Sequence, residues 1–218
     1  MLYWTFSLSE GIHMTPEIKT LILDLFGIEA IKFGNFTLKS GIQSPIYIDM
    51  RIVISYPVLM KKLSGCLLKL SKNLTFDALC GVPYAAVPYA TALALEGKYP
   101  LLMCRKETKD YGTKKLIEGK FEQGQTCLLI EDVITFGTSI LETADAMKKQ
   151  GLKINDVIVL LDRQQGGAQK LKEHGIQLHS LIDLLGLLEV LSEQKKISED
   201  TLQNVYAFLK VSQSKAIS

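Results

Sequence analysis

The 218-residue chain has no uninterrupted apolar run approaching the roughly 18 residues that a membrane helix needs, which argues against a membrane role. It has no surplus of one charge: 25 Lys and Arg stand against 23 Asp and Glu. Proteins that grip a nucleic-acid backbone need a basic excess, so that class is set aside and any basic character must be local. Cysteine is scarce and unpatterned. Cys66, Cys80, Cys104 and Cys127 are unevenly spaced, form no CxxC pair and each lies in apolar sequence, as expected of reduced core thiols in a cytoplasmic protein. Of the three histidines only His174 and His179 lie near each other, and neither has partners at zinc-ligand spacing, so no protein-built metal site is expected. Internal repeats and low-complexity segments are also missing. The opening "MLYWTFSLSEGIH" lacks the basic start, long apolar middle and small-residue cleavage site of a signal peptide, and residues 1–13 read as a loose extension.

What is present is enough apolar sequence, 47% of the chain, to bury one substantial core. A domain over residues 14–212 and a frayed tail over 213–218 are expected. Thr15 as N-cap and Pro16 at the first position start a helix that runs to Phe26 and stops at Gly27. "AIKFGNFTLKSGIQSPIYIDMR" mixes aromatic and β-branched residues with glycine turns and predicts a hairpin, followed by a helix over Val58 to Lys72. From there strands and helices alternate: "FDALC", "VPYATALALEG", "PLLMC", a polar glycine-bearing loop, "TCLLIED", "SILETADAMKKQ", "DVIVLLD" and a helix near "AQKLKEHG". Residues 181–210 read as two more helices, Ser198 capping the second. Apolar strands separated by amphipathic helices give an α/β fold, an open and mainly parallel twisted sheet flanked by helices. Ligands in such sheets bind beyond the carboxyl ends of the strands.

"LLIEDVITFGTS", residues 128–139, falls at such an end. Thr135, Phe136, Gly137, Thr138 and Ser139 join a strand to a helix N-terminus, where unpaired N–H groups and the helix dipole attract anions. Gly137 lets the backbone close around a phosphate and the hydroxyls can donate to its oxygens. The run fits neither GxxxxGK[ST] nor GxGxxG. Glu131 and Asp132, just upstream, would repel a bare phosphate. A phosphorylated ribose carrying a leaving group suits both features: its hydroxyls donate to acids, Mg²⁺ accepts oxygen ligands, and its anomeric carbon becomes positive on reaction. Taken alone, the same residues also describe an ordinary strand-to-helix turn with a solvated acid pair.

The run resembles the phosphoribosyl-pyrophosphate (PRPP) motif of type I phosphoribosyltransferases. "FGNFTLKSGIQSPIYIDMR", "CGVPYAAVPYA", "RKETKDYGTKKLIEG" and "VLLDRQQGG" narrow the likeness to orotate phosphoribosyltransferases, most of all the form at the N-terminus of bifunctional UMP synthases, over residues 14–212. The resemblance implies the type I fold with a small N-terminal hood, Mg²⁺ as cofactor, and PRPP and orotate as substrates. It also implies a homodimer in which a lid loop, residues 105–119, reaches the neighbouring site, and an orotidine 5′-monophosphate decarboxylase as a fused or separate partner.

Residue by residue, it gives Thr135, Phe136, Gly137, Thr138 and Ser139 to the 5-phosphate, and Glu131 and Asp132 to the ribose hydroxyls. Arg105 and Lys106 go to pyrophosphate, Tyr84 is a further substrate-binding residue, and Lys109 is the lid lysine that matters for rate. Lys39 touches both PRPP and base, Tyr47 lies against the pyrimidine, and Arg163 holds the orotate ring or its carboxylate. Without the resemblance, residues 105–115 are a solvated basic loop, Lys39 a surface lysine, Tyr47 a core aromatic and Arg163 a partner for Asp162. Three positions depart from bacterial stand-alone enzymes: Ala85 replaces a lysine, Tyr111 replaces a loop histidine, and Glu131–Asp132 replaces two aspartates. A transferase for another base, such as a purine, or a non-catalytic PRPP sensor are the alternatives to orotate chemistry.

Overall fold

The computed structural model of the chain describes residues 14–37, 41, 43–106 and 116–217. Helix α1, Pro16–Gly27, begins where the Thr15 hydroxyl oxygen accepts the Ile18 N–H at 3.3 Å, as the sequence predicts. Strands β1, Ile31–Thr37, and β2, Gln43–Ile48, form the expected antiparallel hairpin. A short 3-10 turn over Met50–Ser55 leads into α2, Pro57–Ser71.

The remaining strands are β3 (Ala78–Gly81), β4 (Leu101–Cys104), β5 (Ile117–Glu118), β6 (Cys127–Ile134), β7 (Asp156–Asp162) and β8 (Gln177–Asp183). They form one sheet in the order β5-β4-β3-β6-β7-β8, parallel except for the two-residue β5. Helices α3 (Val87–Gly97), α4 (Thr138–Lys148) and α5 (Gly167–Glu173) make the crossovers, and α6 (Leu184–Glu193) and α7 (Glu199–Ile217) follow β8. From β3 the chain steps outward to β4, whereas from β6 it steps the other way to β7 and β8. The switch in direction therefore lies between β3 and β6, which opens a crevice at their carboxyl ends.

Apolar residues alternate between two cores. Leu128, Ile130, Ile158 and Leu160 face α1, α2, α3, α6 and α7, while Cys127, Leu129, Val157 and Val159 face α4 and α5. Both faces of β6 and β7 are covered, so these strands read as continuous apolar runs in the sequence. The four cysteines are free and buried, and burial pushes the Cys66 thiol up to about 11, as suits core packing and not reactivity. Among the described residues no helix is long and apolar enough to cross a membrane.

Three expectations are corrected. Residues 177–183 form β8, an edge strand, where the sequence predicts no strand and a helix from residue 181; only Leu181 and Ile182 of the seven are buried, so no apolar run announces it. Strand β6 does not stop at Asp132: it continues to Ile134, held by β7 through Val133 opposite Leu161 and Ile134 opposite Asp162. Helix α7 runs on to Ile217 through the expected frayed tail, and at the start of that stretch Gln213 Nε2 donates to Gln164 O, on the loop after β7, at 2.9 Å.

Candidate active site

Strand β3 pairs with β6 only as far as Gly81 opposite Ile130, with one more bond from Val82 N–H to Ile130 O at 2.9 Å. The chain then leaves the sheet through a cis Pro83–Tyr84 bond and enters α3. Beyond Ile130, strand β6 therefore has β7 on one side and the crevice on the other, and the acid pair begins at that point. A Cβ on Gly81 would lie 2.7 Å from Val87 Cα and 2.8 Å from Ala86 O, so the close seat of α3 on the strand end needs glycine there.

Because side chains alternate along a strand, Glu131 belongs to the α4 side and Asp132 to the α3 side. Glu131 is buried, and its two oxygens accept the Ser139 hydroxyl at 2.9 Å and the Asp132 N–H at 3.0 Å. Burial first, and the adjacent Asp132 carboxyl second, push its pKa well above the ordinary carboxylate range. Asp132 is only half-buried, with one oxygen accepting the Val133 N–H at 2.8 Å. On its other side the buried Tyr89 of α3 has its phenol pKa raised, by burial first and then by the charges of Asp132 and Asp49. Tyr89 O–H donates to Met50 O at 2.5 Å and ties α3 to the 3-10 turn. Sequence reasoning passed over Tyr89; its one signal is a phenol within an otherwise apolar helix.

Gly137 has a φ of +74° and caps α4, whose first internal bond runs from Leu141 N–H to Gly137 O at 3.0 Å. The N–H groups of Thr138, Ser139 and Ile140 are thus left for an anion. The Ser139 hydroxyl is not: its proton goes to Glu131, so this residue can offer phosphate only its backbone N–H. Phe136 is 49% exposed and Tyr84 66% exposed, both at the crevice edge where neither fills a core.

Cations flank the acids. On the β4 side, Lys106 Nζ lies 5.5 Å from the centre of the Tyr84 ring. Arg105 is held by Glu118 of β5, through Nε at 3.0 Å and Nη2 at 2.8 Å, so an incoming anion would share it with that carboxylate. On the β7 side, Arg163 sits on a loop laced to the turn after β6 by Arg163 N–H to Ile134 O at 3.0 Å and Gly167 N–H to Thr135 O at 3.1 Å. Its guanidinium is buried, yet Nε and Nη2 have no hydrogen-bond partner, and burial lowers its pKa. Asp162 does not take it: no ion pair joins the two, and Asp162 Oδ1 instead accepts the Gln164 N–H at 2.7 Å. Burial, offset by that bond and reinforced by Asp183, pushes the Asp162 carboxyl up to about 6.

Tyr47, on β2, packs its ring 5.5 Å from that of Phe36 and accepts Arg51 Nη2 at 3.1 Å, on the hairpin and not on the main sheet. Lys39 and Lys109 lie outside the described residues, as does Tyr111. The described site thus joins Glu131, Asp132, residues 135–139 and Arg163 around one crevice, with Tyr84, Arg105 and Lys106 on its β4 flank.

Residues 56–176 match the family described as Phosphoribosyl transferase domain. The chain is 47% identical to the Bos taurus uridine 5′-monophosphate synthase over 192 residues, which cover 87% of this chain and 40% of that protein. It is 43% identical to the orotate phosphoribosyltransferase of Chlamydia caviae over 180 residues, 82% of this chain and 87% of that one. Among solved structures, Leishmania donovani UMP synthase superposes with a TM-score of 0.82 at 32% identity, over 90% of this chain and 42% of that chain. The chain therefore spans about two fifths of the length of the UMP synthases it matches and nearly all of the stand-alone enzyme.

Proposed function

The chain belongs to the orotate phosphoribosyltransferase family, and from that premise we propose that it transfers the 5-phosphoribosyl group of PRPP to N1 of orotate, giving orotidine 5′-monophosphate and pyrophosphate on the route to UMP. The observation that carries this reading is Arg163: a buried guanidinium with two unpartnered nitrogens, beside a phosphate-binding loop, calls for a planar anionic ligand. A purine offers no carboxylate to such a group.

The orotate nitrogen is acidic enough to arrive as an anion, so the site needs no strong base. The 5-phosphate is received by the N–H groups of residues 137–140 and the Thr135 and Thr138 hydroxyls. Asp132, the more open acid, faces the ribose hydroxyls, and its charge favours a ribosyl carbon that turns positive as the leaving group departs. Glu131 acts from beneath, fixing Asp132 and Ser139 through its two hydrogen bonds. Lys106 and Arg105 draw the leaving pyrophosphate to the β4 flank, with Tyr84 and Phe136 screening the crevice. Lys39, Lys109 and Tyr47 complete the substrate contacts.

Mg²⁺ fits this donor set as a substrate-borne ion. Asp132 would offer it one hard oxygen and the diphosphate the others. The ion would supply charge neutralisation on the leaving group.

A homodimer, with the 105–119 loop entering the neighbouring site, is supported by the large apolar side chains that α2, α3 and the 3-10 turn leave exposed: Ile54, Val58 and Leu95 are 54%, 73% and 77% exposed. A decarboxylase, fused or separate, would consume the product. The setting is cytoplasmic, without nucleic-acid or membrane partners.

The test is to mix the protein with PRPP, Mg²⁺ and orotate, following orotate absorbance and pyrophosphate release together. Stoichiometric loss of orotate with no turnover of purine bases is expected. Turnover of a purine, or PRPP binding with no turnover of any base, would replace this reading with one of its rivals.

A further inference from the structure

Gln165 is as buried as any polar residue of the site, at 3% exposure, and its Oε1 has no hydrogen-bond donor. Such atoms are rare, and each calls for an explanation. The loop that carries it offers one. Arg163 and Gln165 flank Gln164, and all the bonds described for the loop's middle fix Gln164 itself. Its N–H goes to Asp162 at 2.7 Å, its Oε1 accepts Leu185 N–H at 3.0 Å, and its carbonyl accepts Gln213 Nε2 at 2.9 Å. Its φ of +55° completes a turn braced by β7, α6 and α7. The two outer residues are left with unmet hydrogen-bonding capacity of opposite kinds: donors on Arg163, an acceptor on Gln165.

An orotate ring presents both complements in one plane, carboxylate and carbonyl oxygens as acceptors and the N3–H as a donor. PRPP's phosphates offer acceptors only, and its ribose hydroxyls fall to Asp132. Resting on the orotate reading above, we propose that Gln165 is a specificity residue whose side-chain amide reads the imide edge of the base, its oxygen accepting N3–H while Arg163 holds the acidic side. An amide can match an N–H and a neighbouring carbonyl with two bonds, as Asn and Gln do on adenine. The ring would then be selected by its donor as well as by its charge, and a site built to bond an N–H rejects analogues that lack it.

The experiment compares wild type with Gln165→Leu, which removes the acceptor, and Gln165→Glu, which keeps one. Leucine is expected to raise KM for orotate about tenfold or more, with KM for PRPP within about twofold, and glutamate to recover most of the loss. Wild type is expected to discriminate against orotate methylated at N3 by a similar factor or more, and the leucine variant to lose that discrimination. An unchanged KM for orotate in Gln165→Leu, or a shift confined to PRPP, overturns the proposal. So does a wild type that uses the N3-methyl analogue as well as orotate, a result that needs no variant to fold. A wild type inert toward orotate would remove the functional reading and this inference together; an active wild type with an indifferent Gln165 removes the inference alone.

Discussion

Ser139 donates its hydroxyl to Glu131 across the turn from β6 to α4, at 2.9 Å, so the hydroxyl at the start of α4 is fixed by a buried acid. The fold holds the Glu131 carboxyl in its protonated form more tightly than the unfolded chain does. Stability from this group is therefore full at low pH and is lost as pH climbs from 4.5 through the raised value. Glu131→Gln stays neutral throughout. Its melting temperature should drop less than that of wild type between mildly acidic and mildly alkaline buffer, and parallel pH profiles would refute the assignment.

Arg163 combines a cost to the fold with a gain in binding. Its buried charge has no internal partner, so Arg163→Leu should leave the protein as stable as wild type or more stable by roughly 1 kcal/mol. The same change removes charge-assisted bonds to orotate of about 1.5–3 kcal/mol, so KM for orotate should rise roughly 10- to 150-fold. Thermal melts and steady-state kinetics on the one variant test both halves; a loss of stability would mean that an internal partner holds the guanidinium.

How much of this was legible in the sequence depended on how each element is buried. Strands β6 and β7 have both faces covered and read as apolar runs, whereas β8 lies at the sheet edge, half-exposed, and gave no such signal. Helices α1 and α3 were legible to within a residue, because Thr15 and Pro16 start the first and Gly27 and Gly97 close the two. The turn over residues 135–139 was legible because its geometry is local: a glycine at positive φ, hydroxyls and a helix start lie within five residues. The different settings of Glu131 and Asp132 were not, since two adjacent acids look alike until alternation sends one toward α4 and the other toward α3. Gln165 and Gln213 were invisible for the same reason, their significance lying in contacts made or missing across 49 residues of chain in one case and in unmet burial in the other.

Gly81 tests the close packing that opens the crevice. Its missing Cβ would meet backbone atoms of Ala86 and Val87, which cannot swing aside as a side-chain tip can. Gly81→Ala should cost about 1–3 kcal/mol in urea unfolding and displace the turn that carries Tyr84. Activity should fall with it, mainly through KM for PRPP; an alanine variant of unchanged stability would show that α3 is less tightly seated.

Lys109 belongs to the loop assigned to the departing pyrophosphate. Lys109→Ala should depress kcat far more than it raises KM for PRPP, because the charge it meets develops only as the bond breaks. Stopped-flow and steady-state assays on this variant check it, and an unchanged kcat would take the lysine out of the mechanism.

Gly137 separates backbone strain from phosphate binding. At φ +74° an alanine is strained by about 1–2 kcal/mol, although its Cβ would find Leu171 no nearer than 3.4 Å. The strain falls at the start of α4, where the Thr138 and Ser139 N–H groups must converge on the 5-phosphate. Relaxing it rotates those donors away. Gly137→Ala should therefore lose affinity for PRPP, and for free ribose 5-phosphate by a similar factor, while affinity for orotate alone stays within about twofold. Calorimetric titration of each ligand into the variant reads the three affinities separately. If orotate weakened as much as ribose 5-phosphate, the damage would be a general loss of fold, and the phosphate would have to be sought elsewhere on the sheet edge.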